Sequence, residues 1–302
     1  MAPISDIEFG VVSFVGVSMM KFYGSLYRMF PEQEPLFLEI EGLLSNYYRR
    51  RLEMLAAPSE DEVLAELNRF IEAIQSLTVN LQSRSVINVN EYDFPLNALS
   101  KLVNHSLSFL FNSYLVKSAA LLEGFIWSIN LRNAFVGAMC IRQEIEILAA
   151  SHYACFLCAE KKFLDPKDYF AFINAVLSMV FGQRSNSTEA PISLGFFGEP
   201  YKAVSVGKMI QVLDKDEMRE SVPWLGELYG SLSEIVHPNW KSNSIHMREG
   251  EHFWQVDYAN SSGLLSEFLI YARLIFDKAL AEISKLPSGH IDSGFKLTQE
   301  TT

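Results

Sequence analysis

Residues 96–163 read LNALSKLVNHSLSFLFNSYLVKSAALLEGFIWSINLRNAFVGAMCIRQEIEILAASHYACFLCAEKKF. Apolar side chains recur at helical spacing along the whole stretch, and the polar cluster Asn130-Leu131-Arg132-Asn133 is its one natural break. The pattern predicts two long antiparallel helices joined by a tight turn. The second, from Phe135 to Leu157, is apolar on nearly every side, as a helix in the interior of a bundle is.

Working outward, the same 3.6-residue period continues in both directions. Ser59-Glu60-Asp61-Glu62 has the form of a capping box. Val63, Leu64, Leu67, Phe70, Ile71, Ile74, Leu77 and Leu81 follow as one stripe, with Glu66, Arg69, Glu72 and Gln75 off it. Helices are also expected from Ile4 to Phe30 and from Glu34 to Leu55, with Pro31 and Pro58 as punctuation. Asp93-Phe94-Pro95 opens the central pattern, Pro95 suiting a first-turn position where its missing donor does no harm. Beyond it, helices are expected from Asp165 to Phe181, Val204 to Leu213, Pro223 to Val236 and Ser262 to Leu286. Gly182–Pro200, rich in Gly, Ser and Pro, is the longest irregular segment. One place reads as strand: Ile245 to Arg248 and Glu251 to Tyr258, with a two-residue turn at Glu249-Gly250 placing Arg248 opposite Glu251. The expected fold is therefore all-α, a multi-helix bundle with one small β-hairpin near 245–258. It forms a single helical domain over 1–286, with N-terminal helices 1–90 packed on a core at 96–286 and a polar, flexible tail at 287–302.

The chain has 302 residues, 49% of them hydrophobic and 20% charged, with a formal net charge of −11. That balance excludes a disordered protein and argues against an extended RNA-coating surface. Three cysteines are too few for a disulfide framework, which fits a reduced, cytoplasmic protein. The apolar run from Phe9 to Met20 is too short to span a bilayer, and Ser118 to Leu131 carries Glu123 in its middle, so no membrane role is expected.

Familiar cofactor motifs are missing. Gly207-Lys208 resembles the end of a phosphate loop, but Lys202 stands where its first Gly belongs and Met209 where Ser or Thr would hold magnesium. No cofactor and no metal is expected. His152, Cys155 and Cys158 step along one helix without a fourth ligand and read as buried core. Tyr47-Tyr48-Arg49-Arg50-Arg51 mixes aromatics with charge, but fits the solvated face of an amphipathic helix better than a nucleic-acid surface.

Two segments place polar groups where a core helix does not need them. Arg142 and Glu146 lie at i and i+4 within the apolar run, and a guanidinium there needs a partner. In the second segment, Tyr229, Ser233 and His237 step by fours beside the core stripe of Leu225, Leu228, Leu232 and Ile235. Pro238 ends that helix at His237, whose imidazole then faces the negative end of the helix dipole. His237, Arg142 and Glu146 are the candidate catalytic residues, with Ser233, Tyr229 and Asn239 as candidate ligand-binding residues. The same residues would also serve as an Arg–Glu brace between helices with a His-Pro stop.

An Arg142-x-x-x-Glu146 helix followed by Tyr229-x-x-x-Ser233-Glu234-x-x-His237-Pro238 resembles a group of all-helical bacterial proteins placed loosely with the HEPN-like superfamily. The likeness covers roughly Leu96 to Leu286. It implies a helical effector, a ribonuclease if it is an enzyme, acting as a dimer in a toxin or antiphage-defence setting. HEPN ribonucleases carry Arg followed after four to six residues by His. Here Gly137, Ala138 and Met139 stand in those places after Arg132, and Ile147, Leu148 and Ala149 after Arg142. Three functions are open: an RNA-acting effector using His237 as acid or base, a non-catalytic interaction or sensor protein in a homo-oligomer or with a protein partner, and a small-ligand or nucleotide binder.

Overall fold

The computed structural model describes residues 34–52, 61–62, 65–66, 68–69, 72, 90–158, 175–180, 203–215, 225–237, 245, 247–249, 254–256 and 262–286. The expected helix at Ile4–Phe30, the start of the Asp165 helix, the Gly182–Pro200 segment, the 287–302 tail and Asn239 lie outside these residues. The described helices are α1 (Glu34–Leu52), α2 (Asn90–Asn130), α3 (Ala134–Cys158), α4 (Val206–Lys215), α5 (Leu225–Val236) and α6 (Ser262–Lys285). Residues 61–62, 65–66, 68–69, 72 and 175–180 are helical as well. The protein is an all-α bundle.

Two short strands, β1 (Met247–Glu249) and β2 (Trp254–Val256), pair antiparallel in the register Met247↔Val256, Arg248↔Gln255 and Glu249↔Trp254. This corrects the expected pairing of Arg248 with Glu251. Four residues separate the strands instead of two, and connection length sets hairpin register. A second correction concerns Pro95. Helix α2 begins at Asn90, so Pro95 lies beyond the first turn and deprives one backbone carbonyl of its i→i−4 partner near the helix end.

Helix α3 is the centre of the bundle. It packs against α2 and α6 on one side and α4 and α5 on the other, while α1 lies against α2 and α6. The sequence explains the placement: Ala138, Ile141, Ile145 and Leu148 on one face, and Cys140, Ile147, Ala150 and Leu157 on the opposite side, are all buried. A helix apolar all round is stable only when surrounded. Phe125 and Leu122 of α2 and Ile275 and Phe276 of α6 have no exposed surface, each contributing about 2 kcal/mol of burial.

The turn from α2 to α3 sets their antiparallel crossing. Arg132 takes φ 53°, with its N–H on Ile129 O at 3.0 Å and the Asn133 N–H on Ser128 O at 2.7 Å. Those two bonds are a Schellman closure. Asn133 then caps α3, its Oδ1 accepting from the Val136 N–H at 3.1 Å. A Cβ at Gly137 would meet Ser128 Oγ at 3.1 Å and Phe268 at 3.4 Å, so glycine permits the close meeting of α2, α3 and α6.

Two polar expectations change. Tyr47, assigned with its neighbours to a solvated face, has no exposed surface, while Arg51 is exposed. Only part of that cluster is on the outside, because Tyr48 reaches in too and donates to Glu123 of α2 at 3.2 Å. Glu66, expected off the apolar stripe, is buried with Arg69 paired to it. The stretch Lys101–Asn130 of α2 is long and apolar enough to cross a membrane by length and composition, and half of its most apolar window is buried within the fold.

At the bundle's centre Glu144 is fully buried on α3. The Tyr47 hydroxyl lies 2.8 Å from the Phe276 carbonyl and 3.2 Å from Glu144 Oε1. A phenol has one proton, and the shorter contact takes it. The Glu144 contact is then satisfied when the carboxyl is neutral and supplies the proton. Burial pushes the Glu144 pKa up to about 8, against smaller lowering effects of Ser118 and Tyr47. Ser118 acts at longer range, since neither its Oγ nor Glu144 Oε2 has a hydrogen-bond partner. The same node pushes the Cys140 thiol up to about 11, by burial and then by Glu144.

A folded-state pKa above the ordinary 4.5 means that the unfolded chain loses the proton first as pH rises. Glu144 therefore favours folding fully below about pH 4.5, and this contribution is lost progressively up to about pH 8. Glu144→Gln keeps the shape and the donor but cannot ionise. Its Tm is expected to gain on the parent's by several degrees between pH 5 and pH 8.5. A Tm gap independent of pH in paired thermal melts would contradict this.

Candidate functional site

Helices α3 and α5 meet through four side chains. Arg142 Nε donates to Ser233 Oγ at 2.9 Å, and its Nη2 donates to Tyr229 Oη at 2.8 Å. The same Nη2 lies 3.2 Å from Glu146 Oε1, to which the Tyr229 hydroxyl donates at 2.8 Å. Ser233 donates in turn to the Tyr229 carbonyl at 2.7 Å. Nε and Nη2 of Arg142 and the hydroxyls of Tyr229 and Ser233 thus all donate within one network. The guanidinium also lies 4.9 Å from the centroid of the Tyr229 ring. Burial raises the Tyr229 pKa, and its bond to Glu146 and the charge of Glu146 add to that, outweighing Arg142.

The structure thus brings together Arg142, Glu146, Tyr229 and Ser233 from the expected set. His237 stands apart from the circuit. Its N–H closes the helix on Ser233 O at 2.9 Å, its side chain is exposed, and none of the circuit's hydrogen bonds reaches it. An acid–base role for His237 on a phosphate held by Arg142 calls for an imidazole beside the guanidinium. Nε and Nη2 of Arg142 are directed at Ser233, Tyr229 and Glu146.

On the other side of Glu146 lies an open groove of about 610 Å³, between α2, α3, the residues leading into α4, and α4 itself. One row comes from each long helix: Tyr114, Lys117 and Leu121 from α2, and Gln143, Glu146, Ile147 and Ala150 from α3. Val204, Val206 and Met209 complete an apolar wall. Sequence inspection missed this groove, since three separate segments form it. The available signal was small residues beside polar ones, Ala120 near Lys117 and Ala150 near Gln143 and Glu146.

Polar groups facing the groove are unengaged. The Tyr114 side chain is nine-tenths buried, yet its hydroxyl makes no hydrogen bond, and burial alone pushes its pKa well above the usual phenol value. Glu146 is bonded through Oε1 only, which leaves Oε2 as an open acceptor. Lys117 and Gln143 are exposed and likewise without partners. The circuit with α5 therefore engages one carboxylate oxygen of Glu146, a residue that also lines the groove, and leaves the other unengaged.

Elsewhere on α3, His152 Nδ1 lies 3.3 Å from Glu282 Oε2, and Lys285 pairs with the other Glu282 oxygen, tying α3 to α6. Burial, and after it the Glu282 charge, push the Cys155 thiol up to about 11. Among the described residues no three His, Cys, Asp or Glu side chains are grouped to hold a metal ion.

No family model, no curated protein and no solved structure matches the chain.

The circuit makes an energetic prediction. Arg142→Met removes the donor shared by Ser233, Tyr229 and Glu146, and is expected to cost about 2 kcal/mol in urea unfolding. Tyr229→Phe is expected to cost about 1 kcal/mol. Because the two share partners, the double variant should lose about 1 kcal/mol less than the sum. Strict additivity would mean that the circuit is not coupled.

Proposed function

We propose that the protein is a non-catalytic binder of small molecules, with the groove between α2, α3 and α4 as its binding site. The observation that carries this is one groove lined by apolar side chains together with Tyr114, whose hydroxyl makes no hydrogen bond within the fold, and Glu146, one oxygen of which is unengaged. Its size of about 610 Å³ falls in the range of clefts that enclose drug-sized and metabolite-sized ligands. Apolar walls with a few fixed polar groups are the usual composition of such sites.

Arg142 and Glu146 compensate each other's charge at 3.2 Å. That arrangement favours a positioning role for Arg142 over anion capture. It orients Glu146, and the ligand meets Glu146, Tyr114, Lys117 and Gln143.

Ala120 lies at the open edge of the groove and is itself exposed, so Ala120→Trp fills the groove without entering the core. The parent should bind 8-anilinonaphthalene-1-sulfonate saturably at one site with a fluorescence gain. Ala120→Trp should lose that site while keeping its circular dichroism spectrum. Absence of saturable binding in the parent, or equal binding in both proteins, would overturn the proposal.

A further inference from the structure

Glu144 is held where an ionised carboxylate has nothing to balance it. It has no exposed surface, and its Oε2 makes no hydrogen bond. The polar groups acting on it are the Tyr47 hydroxyl from α1 and the Ser118 hydroxyl from α2, with the Cys140 thiol near by on its own helix. From α6 the node receives the Phe276 carbonyl, on Tyr47, and the Asp277 carboxylate, which also acts on Tyr47. Helices α4 and α5 bring no titratable group to it. None of these groups is a cation, so a negative charge on Glu144 has no partner among the described residues.

The helices that meet at this node are not equally anchored. Among the described helices, α3 packs between α2, α4, α5 and α6, whereas α1 packs on α2 and α6. The apolar hold on α1 comes from Phe37, Ile40, Leu43 and Leu44, all buried. Two of its polar ties lie nearer the surface: Tyr48 on Glu123 at 3.2 Å, and Glu39 with Arg273 at 2.6 Å, an ion pair about half exposed on both sides. Pairs of that kind contribute little. Tyr47, bonded to the Phe276 carbonyl and against Glu144, is the interior anchor. Ionisation of Glu144 calls for water, and the helix with the fewest packed neighbours is the one that gives way to admit it.

We propose that α1 is a pH-sensitive latch on the bundle, closed while Glu144 carries its proton and opened as that proton passes to solvent. On opening, Tyr47 leaves the Phe276 carbonyl and both oxygens of Glu144 take water. The closed form binds one proton more than the open form. Glu144 keeps that proton up to about pH 8 when closed, and to the ordinary 4.5 when exposed. The opening equilibrium of α1 therefore rises about tenfold per pH unit between those values and levels off above the upper one. Helix α1 contributes no residue to the groove, so the latch and the binding role stand or fall separately.

The test is hydrogen exchange of the full chain, read peptide by peptide in a mass spectrometer at pH 5.5 and 7.5 and corrected for the chemical exchange rate. At pH 7.5 the α1 amides should be at least about tenfold less protected than those of α3, because α1 opens while the rest of the bundle stays folded. Their protection should fall about a hundredfold from pH 5.5 to 7.5, one proton being released over two pH units. Glu144→Gln keeps the shape of the side chain and cannot ionise, and its α1 protection should be the same at both pH values. Two results would overturn the latch. One is equal protection of α1 and α3 in the parent, which means that α1 opens only when the whole bundle unfolds. The other is the same pH dependence of α1 in the parent and in Glu144→Gln, which means that opening does not uncover Glu144.

Discussion

A carboxyl group with no exposed surface sits on the helix that touches α2, α4, α5 and α6. Helix α3 has little solvent face, so each polar side chain on it needs a partner within the bundle. Glu144 is the most demanding of these, because an ionised carboxylate there would be costly and a neutral one must still be hydrogen-bonded. The Tyr47 hydroxyl answers it while holding the Phe276 carbonyl, which brings α1 and α6 to the same point. Much of the arrangement of α1, α3 and α6 follows from that one node.

Two residues further along, α3 handles its remaining charges differently. Arg142 and Glu146 compensate each other, and Ser233 and Tyr229 of α5 accept from the guanidinium Nε and Nη2. The circuit is asymmetric in one respect: it uses one oxygen of Glu146 and leaves the other. On the opposite side α4 packs on α3 while small residues, Ala120 and Ala150 among them, keep a groove open. The same helix thus braces the fold through Glu146 and lines the proposed binding groove with it.

Much of this was legible in the chain. Asn130 to Asn133 marks the turn because an apolar pattern breaks at a short polar cluster. The Arg142–Glu146 and Tyr229–Ser233 pairs stand out because each joins residues four apart on a helix within apolar surroundings. Helical spacing alone could not find the rest. Tyr47 belongs to a cluster whose composition fits a surface helix equally well, and only the packing of α1 on α6 turns it inward. Glu144 lies between two more conspicuous charged residues, and its burial depends on Phe276, far away in sequence. The groove needs three segments at once, and a count of strand residues does not determine hairpin register. His237 stands one four-residue step beyond Ser233, exposed where the helix ends.

The most direct measurement is a crystal structure of the protein soaked with 8-anilinonaphthalene-1-sulfonate. The account predicts one molecule in the groove between α2, α3 and α4, with the Arg142 circuit undisturbed. An empty groove at saturating dye, or a dye bound with its sulfonate on Arg142 and the circuit broken, would contradict it.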